Sequence, residues 1–343
     1  MRLLPRYEYL DKLTFKENID GLDIIHPRYL VVPGILKFTD GYLFYLSMNK
    51  FITNIIREKR FHLLDFQWGY PDAFAGFLWS KKLGKKIILT IRGNESICYF
   101  EKSFRKKMMF NILNKFDHII TVSTDLKDKV VKNCFVDDAK VTVIPNGIDH
   151  TKFYLMDKKE AQKKCNLDPH KKYILSLSRL SPEKGLEHSL TAFSNIRQLN
   201  VELILVGEGP LKNTLTRIAD NLKIKDKLKF IGEIQHDETC VWYNAVDVFC
   251  LPSLWEGCPN VIIESLSCGT PVVSTRVGGV PDLIQSDECG FMVSPGDDFA
   301  LLKALERALI HDWNRHKVCR IGGKNSWDHV ASKVISVYEK VIS

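Results

Sequence analysis

The sequence predicts an α/β chain built from two doubly wound parallel-sheet domains, and three observations predict it. From about residue 60 onward, short β-rich apolar runs alternate with helical stretches, the pattern of βα units around parallel sheets. Turn chemistry at Pro145-Asn146-Gly147-Ile148-Asp149 interrupts the alternation, and a second alternation starts beyond it. The length of 343 residues exceeds what one small core organises and suits two domains of roughly 150 residues each.

In order along the chain, the candidate strands of the first sheet are 61–66, Lys86–Ile91, 118–122 and 141–144. Before residue 60 only 21–33 reads as strand material. Phe104, Met108, Ile112 and Phe116 recur every four residues and would share the inner face of a helix whose back carries Arg105-Lys106-Lys107. The second sheet is expected from 173–178, Val201–Val206, 228–231, 247–251 and 271–274, and Trp327–Ile342 closes the chain as an amphipathic helix. The expected domains are therefore 1–148 and 149–326, with 327–343 packing back on the first.

Composition narrows the class. Apolar residues at 45% and charged ones at 26% describe a globular chain rather than a disordered or fibrous one. The nine cysteines never form C-x-x-C, so neither a zinc ribbon nor a redox dithiol is expected, and buried thiols in a reducing cytoplasm are. No apolar leader opens the sequence and no window approaches 18 uninterrupted apolar residues, which again implies a cytoplasmic protein. The net charge of +8 is uneven: residues 1–150 carry 24 Lys and Arg against 17 Asp and Glu, the remainder 25 against 24. This basic front half is either a solvated face or a contact for the inner face of a membrane; no nucleic-acid partner is expected.

The chemistry concentrates in the second half. A strand ends in Pro252-Ser253-Leu254-Trp255-Glu256-Gly257-Cys258-Pro259-Asn260, and an apolar helical run from Val261 to Cys268 follows at once. The first amides of such a helix suit an anion. Glu256 and Glu264 stand eight positions apart, about two turns, so both carboxylates can serve one hydroxyl-rich ligand. After the strand 173–178 comes Arg179-Leu180-Ser181-Pro182-Glu183-Lys184-Gly185, whose Arg179 and Lys184 can clamp a diphosphate, one as a fork and one as a point charge. Gly207-Glu208-Gly209-Pro210 forms a further glycine-rich strand-to-helix turn.

Taken in order, Arg179…Glu183-Lys184-Gly185, Gly207-Glu208-Gly209-Pro210, Pro252-Ser253…Glu256-Gly257…Asn260…Glu264, Gly269-Thr270-Pro271 and Gly278-Gly279-Val280-Pro281-Asp282 resemble the donor domain of glycosyltransferase family 4. The resemblance implies the GT-B fold, two Rossmann-like domains facing across a cleft, and retaining transfer of a sugar from a nucleotide diphosphate sugar, a UDP-sugar first and a GDP-sugar second. It implies no bound cofactor and no metal. It places Arg179 and Lys184 at the donor diphosphate, Glu256 at the donor sugar and Glu264 at the ribose diol. The backbone of Gly257, Cys258, Pro259, Asn260 and Val261 is expected along sugar and phosphates, with Gly207 and Gly209 nearby. Ser178 stands where many members have glycine, and Asp282 where many have glutamate.

In the front half, Gln67-Trp68-Gly69-Tyr70-Pro71-Asp72 and Arg92-Gly93-Asn94-Glu95 resemble acceptor-side motifs of bacterial surface-polysaccharide members, which implies a glycan or lipid-linked acceptor. Many relatives have histidine and aspartate at the positions of Arg92 and Glu95. Arginine cannot act as a base, so Arg92 is expected to act electrostatically and no protein base is assigned. The strand, glycine-rich loop, helix and strand with which members usually open are not found, so an upstream stretch of roughly 40–70 residues, one βαβ unit, is expected. The competing expectation is an inactive remnant that binds nucleotide sugars or acts as a scaffold. A dehydrogenase would need G-x-G-x-x-G after a first strand and a cation-dependent transferase a D-x-D pair, and the sequence contains neither.

Overall fold

The computed structural model describes residues 14–32, 34–58, 61–93, 104–197 and 200–343. Of these, the residues up to Leu89 and from Phe104 to Asp117 form one compact unit, and Thr90 to Gly93 with His118 to Val341 form another.

The described residues open with an antiparallel hairpin of β1 (Lys16–Ile19) and β2 (Leu22–Ile25). Its turn, Asp20-Gly21, has positive φ at both positions, as a two-residue hairpin turn demands. Strand structure stops at Ile25, short of the expected residue 33, where Pro27 offers no amide to a ladder. There follow α1 (Asp40–Glu58), β3 (Leu63–Phe66), α2 (Phe74–Leu83), β4 (Lys86–Ile91), α3 (Phe104–Leu113), β5 (His118–Thr121), α4 (Thr124–Cys134) and β6 (Val141–Val143). Strands β3 to β6 make a four-stranded sheet in the order β3-β4-β5-β6. Met48 of α1 and Ala75 and Trp79 of α2 pack with Leu64 and Phe66 against β3. Beside this outer strand lies an apolar hollow of 260 Å³ lined by Ile52, Ile55, Ile56, Phe61, Leu63 and Trp79 among others.

The inner face at α3 differs from the expected one. Met109, Ile112, Leu113 and Phe116 are the buried side chains, spaced i, i+3, i+4 and i+7. Ile112 and Phe116 are buried as expected, Phe116 from beyond the end of α3, but Met108 is half-buried: a strict interval of four drifts about 40° per step around a helix of 3.6 residues per turn, which brings Met109 to the inner face instead. The side chains of Phe104, Arg105, Lys106 and Lys107 lie outside the described ones.

The second half continues with α5 (Lys158–Lys164), β7 (Lys172–Leu177), α6 (Leu186–Ser194), β8 (Val201–Val206), α7 (Lys212–Asn221), β9 (Leu228–Gly232), α8 (Thr239–Ala245), β10 (Val248–Leu251), α9 (Asn260–Ser267), β11 (Val272–Thr275), α10 (Val280–Leu283), β12 (Gly290–Val293), α11 (Asp298–Ile310), α12 (Arg315–Gly322) and α13 (Trp327–Ile342). Its six strands are parallel neighbours in the order β12-β11-β10-β7-β8-β9. Successive side chains enter opposite cores: Tyr173, Leu175, Ile204, Val206, Phe249 and Leu251 one, Ile174, Leu203, Leu205, Val248 and Cys250 the other. Burial on both faces explains why these strands read as unbroken apolar runs. β12 is the strand of this sheet that sequence reading misses, because it begins with glycine, as β1 before residue 21 is missed in the first half.

The order reverses at β7. From it the chain proceeds through β8 and β9 to one side, then returns to build β10, β11 and β12 on the other. The connections leaving β7 and β10 therefore diverge and leave a crevice beyond the carboxyl ends of these two neighbours. The loops that carry Arg179 to Gly185 and Pro252 to Asn260 are those two connections.

Candidate functional site

Backbone contacts stitch the two loops at the crevice together. The Leu254 amide donates to the Glu183 carbonyl at 2.9 Å. A Cβ on Gly185, which has φ of +59°, would meet the Pro252 carbonyl oxygen at 2.3 Å. Between the loops, buried Glu256 accepts hydrogen bonds on Oε1 from Lys184 Nζ and from the Ser253 hydroxyl, both at 2.7 Å. Lys184, expected as a diphosphate clamp, is thus paired with the carboxylate expected at the sugar. Burial works to raise the Glu183 carboxyl, but the Ser181 hydroxyl, a backbone amide and the charges of Lys184 and Arg179 outweigh it and hold the group below its ordinary range. Arg179 itself is exposed.

Arg92, Gly93, Glu183, Lys184, Trp255, Glu256, Gly257 and Cys258 line one pocket of 220 Å³. Residues expected on the donor side and the acceptor side thus meet within the second compact unit. Arg92 Nη1 donates to Asn146 Oδ1 at 3.2 Å, and Asn146 Nδ2 donates to Asn260 Oδ1 at 2.8 Å, a relay that ends on the first residue of α9. Asn94 and Glu95 lie outside the described residues. Pro259 precedes α9, and no side chain caps the helix there. Burial pushes the Cys258 thiol up to about 11, so this pocket residue stays a neutral thiol at physiological pH.

The glycines of 207–210 have a packing role in the structure. Gly207 has φ of +128°, and a Cβ there would sit 2.0 Å from the Ser178 carbonyl oxygen; one on Gly209 would sit 2.3 Å from that of Leu180. Both therefore press this turn against the Arg179 loop, and neither lines the pocket. Gly278 does the same for the Glu256 loop. Its φ is +52°, a Cβ would lie 2.0 Å from the Glu256 carbonyl oxygen, and the neighbouring Gly279 amide donates to the Gly257 carbonyl at 2.7 Å.

Glu264, on α9, is buried and accepts from the Tyr243 hydroxyl on Oε2 at 2.9 Å and from His236 Nε2 on Oε1 at 3.1 Å. Burial first, then the Glu264 charge, raises the Tyr243 phenol well above its ordinary value, so it remains a donor. Asp282 caps α4, its Oδ2 accepting the Thr124 amide at 2.7 Å. Sequence reasoning missed Ser253, His236 and Tyr243. Ser253 was discoverable, three residues before Glu256 on the same loop; the other two reach Glu264 from α8 and the turn before it, and no local spacing signals that.

Two family patterns match the chain: the one described as Glycosyltransferase Family 4 over residues 9–152, and the one described as Glycosyl transferases group 1 over residues 157–326. The alpha-monoglucosyldiacylglycerol synthase of Streptococcus pneumoniae is 33% identical over 308 residues, 83% of this chain and 68% of that protein. Among solved structures, the sucrose-phosphate synthase of Thermosynechococcus elongatus superposes with a TM-score of 0.79 at 21% identity, over 96% of this chain and 86% of that one. Anabaena HepE in complex with UDP superposes with a TM-score of 0.73 at 18% identity, over 86% of this chain and 84% of that one.

Proposed function

Because the chain belongs to glycosyltransferase family 4 and has its two-domain Rossmann-like GT-B fold, we propose that it moves a sugar, with retained configuration, from a nucleotide diphosphate sugar to a glycan or lipid-linked hydroxyl. The donor is a UDP-sugar in first place and a GDP-sugar in second, the setting is surface-polysaccharide synthesis, and no metal ion takes part. The observation that carries this reading is the Lys184–Glu256 pair, at 2.7 Å in the crevice where the strand order reverses.

An arriving diphosphate draws Lys184 away from Glu256 and, with the fork of Arg179, is neutralised as it leaves. The Glu256 carboxylate, still oriented by the Ser253 hydroxyl, then accepts a hydroxyl of the donor sugar in place of Lys184. Glu264 takes the ribose diol. Arg92 supplies positive charge on the acceptor side and no proton transfer. The UDP held by the Anabaena protein and the glycolipid named for the pneumococcal relative support a uridine donor and a lipid-linked acceptor. No helix among the described residues is long and apolar enough to cross a membrane. The excess of basic residues in the front half supports contact with the inner face of the plasma membrane.

Calorimetric titration with a panel of UDP- and GDP-sugars, followed by transfer assays, tests the reading. Losing a hydrogen bond to a charged group is worth about 2–3 kcal/mol, so Glu256→Gln should lower turnover roughly 30- to 160-fold. Lys184→Ala and Arg179→Ala should weaken UDP binding, and Arg179→Lys should restore only part of it. A chelator should leave the rate unchanged. Wild-type turnover in Glu256→Gln, or selective donor binding with no transfer to any acceptor, would overturn the catalytic assignment. Co-sedimentation with anionic vesicles that weakens with salt checks the membrane contact.

A further inference from the structure

Glu264 is gripped at both carboxylate oxygens, and the two grips differ in kind. Tyr243 is fully buried, packed edge to face against Phe249 with ring centroids 5.4 Å apart, and its hydroxyl is a fixed support for Oε2. His236, which donates to Oε1, is an outer wall with 63% of its side chain exposed. Its backbone is nevertheless held. Thr239 Oγ1 donates to the His236 carbonyl at 2.7 Å, and the Gln235 and Glu238 side chains cap each other's amides across the turn. Phe153 meets the imidazole edge to face, with centroids 5.2 Å apart. An exposed ring on a fixed turn is the arrangement of a group that works at a surface rather than in a core.

An ionised carboxylate offers about four lone-pair directions. Tyr243 and His236 take one on each oxygen, and a carboxylate held this way cannot rotate about its last bond. That leaves two directions, one on each oxygen, enough for two adjacent hydroxyls. We infer that His236 is a positioning residue for nucleotide recognition: by fixing the plane of the Glu264 carboxylate it makes the site read a vicinal ribose diol and discriminate against deoxyribose. The inference rests on the reading that Glu264 takes the ribose diol.

The test uses the full chain and whichever of UDP and GDP the wild type binds, each with its 3′-deoxy analogue, in calorimetric titrations. Wild type should prefer the ribonucleotide, and Glu264→Gln should largely abolish the preference. His236→Ala should weaken the ribonucleotide by about 5- to 10-fold, the worth of one modest hydrogen bond, and leave the affinity for the deoxy analogue nearly unchanged. In transfer assays the donor KM should rise by the same factor while kcat at saturating donor stays within about twofold. His236→Gln, which offers an amide donor at similar reach, should recover most of the preference. If Glu264→Gln keeps the preference, or the wild type binds neither nucleotide, the ribose reading fails and this inference with it. If Glu264→Gln abolishes the preference while His236→Ala retains it, or weakens both analogues alike, the ribose reading stands and His236 has no positioning role.

Discussion

The four-stranded and six-stranded sheets are built from the same βα alternation, yet only the second reverses its strand order. In the order β12-β11-β10-β7-β8-β9 the chain starts at the middle and grows outward both ways, so the loops after β7 and β10 part and leave the crevice that holds Lys184 and Glu256. In the order β3-β4-β5-β6 the chain only marches one way, and among the described residues no such parting occurs. Burial follows the same division. β7 and β8 are almost wholly buried on both faces, whereas all four residues of β3 are half-exposed beside the apolar hollow. Strand sequence alone does not make a binding crevice; the point from which a sheet grows does.

The sharpest test of this contrast substitutes one glycine in each half. Gly278→Ala must fit a Cβ 2.0 Å from the Glu256 carbonyl oxygen at a φ of +52°, and should cost about 3 kcal/mol or more together with donor binding. Gly84→Ala, at the end of α2, meets only the backbone penalty of φ +60° with open space around it and should cost about 1 kcal/mol. Urea midpoints of the two variants check this, and equal losses would contradict it. Next in size is hydrogen exchange: the β3 amides should exchange at least about tenfold faster than those of β8, because local opening is easiest where burial is least. Equal protection of the two strands would remove the distinction drawn here.

The smallest expected effect is a pH dependence carried by β5. Burial, and to a lesser degree Lys340 and Lys140, lower the pKa of His118, whose Nε2 meets the Thr142 hydroxyl at 2.8 Å. The unfolded chain binds the proton first, so the stability linked to His118 is complete above about 6.5 and is lost as pH falls toward the lowered folded value. Melting temperatures measured from pH 7.5 downward should show that slope, and His118→Gln should flatten it.

The Glu256 and Lys184 loops were legible because their glycines, prolines and charges stand next to one another in the chain, directly after apolar runs. The relation between them was not legible in detail, since the hydrogen bond from Lys184 to Glu256 joins residues on separate βα connections. Tyr243 and His236 stayed invisible for the same reason: each is an ordinary residue of a short helix or turn until α9 brings Glu264 alongside. The four-residue spacing misled in the opposite way at Met108, since the true helical period turns Met109 inward in its place.

The backbone contacts of Gly278 and Gly279 with Glu256 and Gly257 also bear on how such chains can exchange parts. The loop that bears Glu256 takes part of its shape from a second loop that arrives one helix and one strand later. A recombination that imports Pro252 to Glu264 from a relative but keeps the resident segment around Gly278 joins a casting to the wrong mould. Crossovers outside 252–281 carry both halves together, so the shape of the Glu256 loop should travel between such proteins as that whole cassette and not as individual residues.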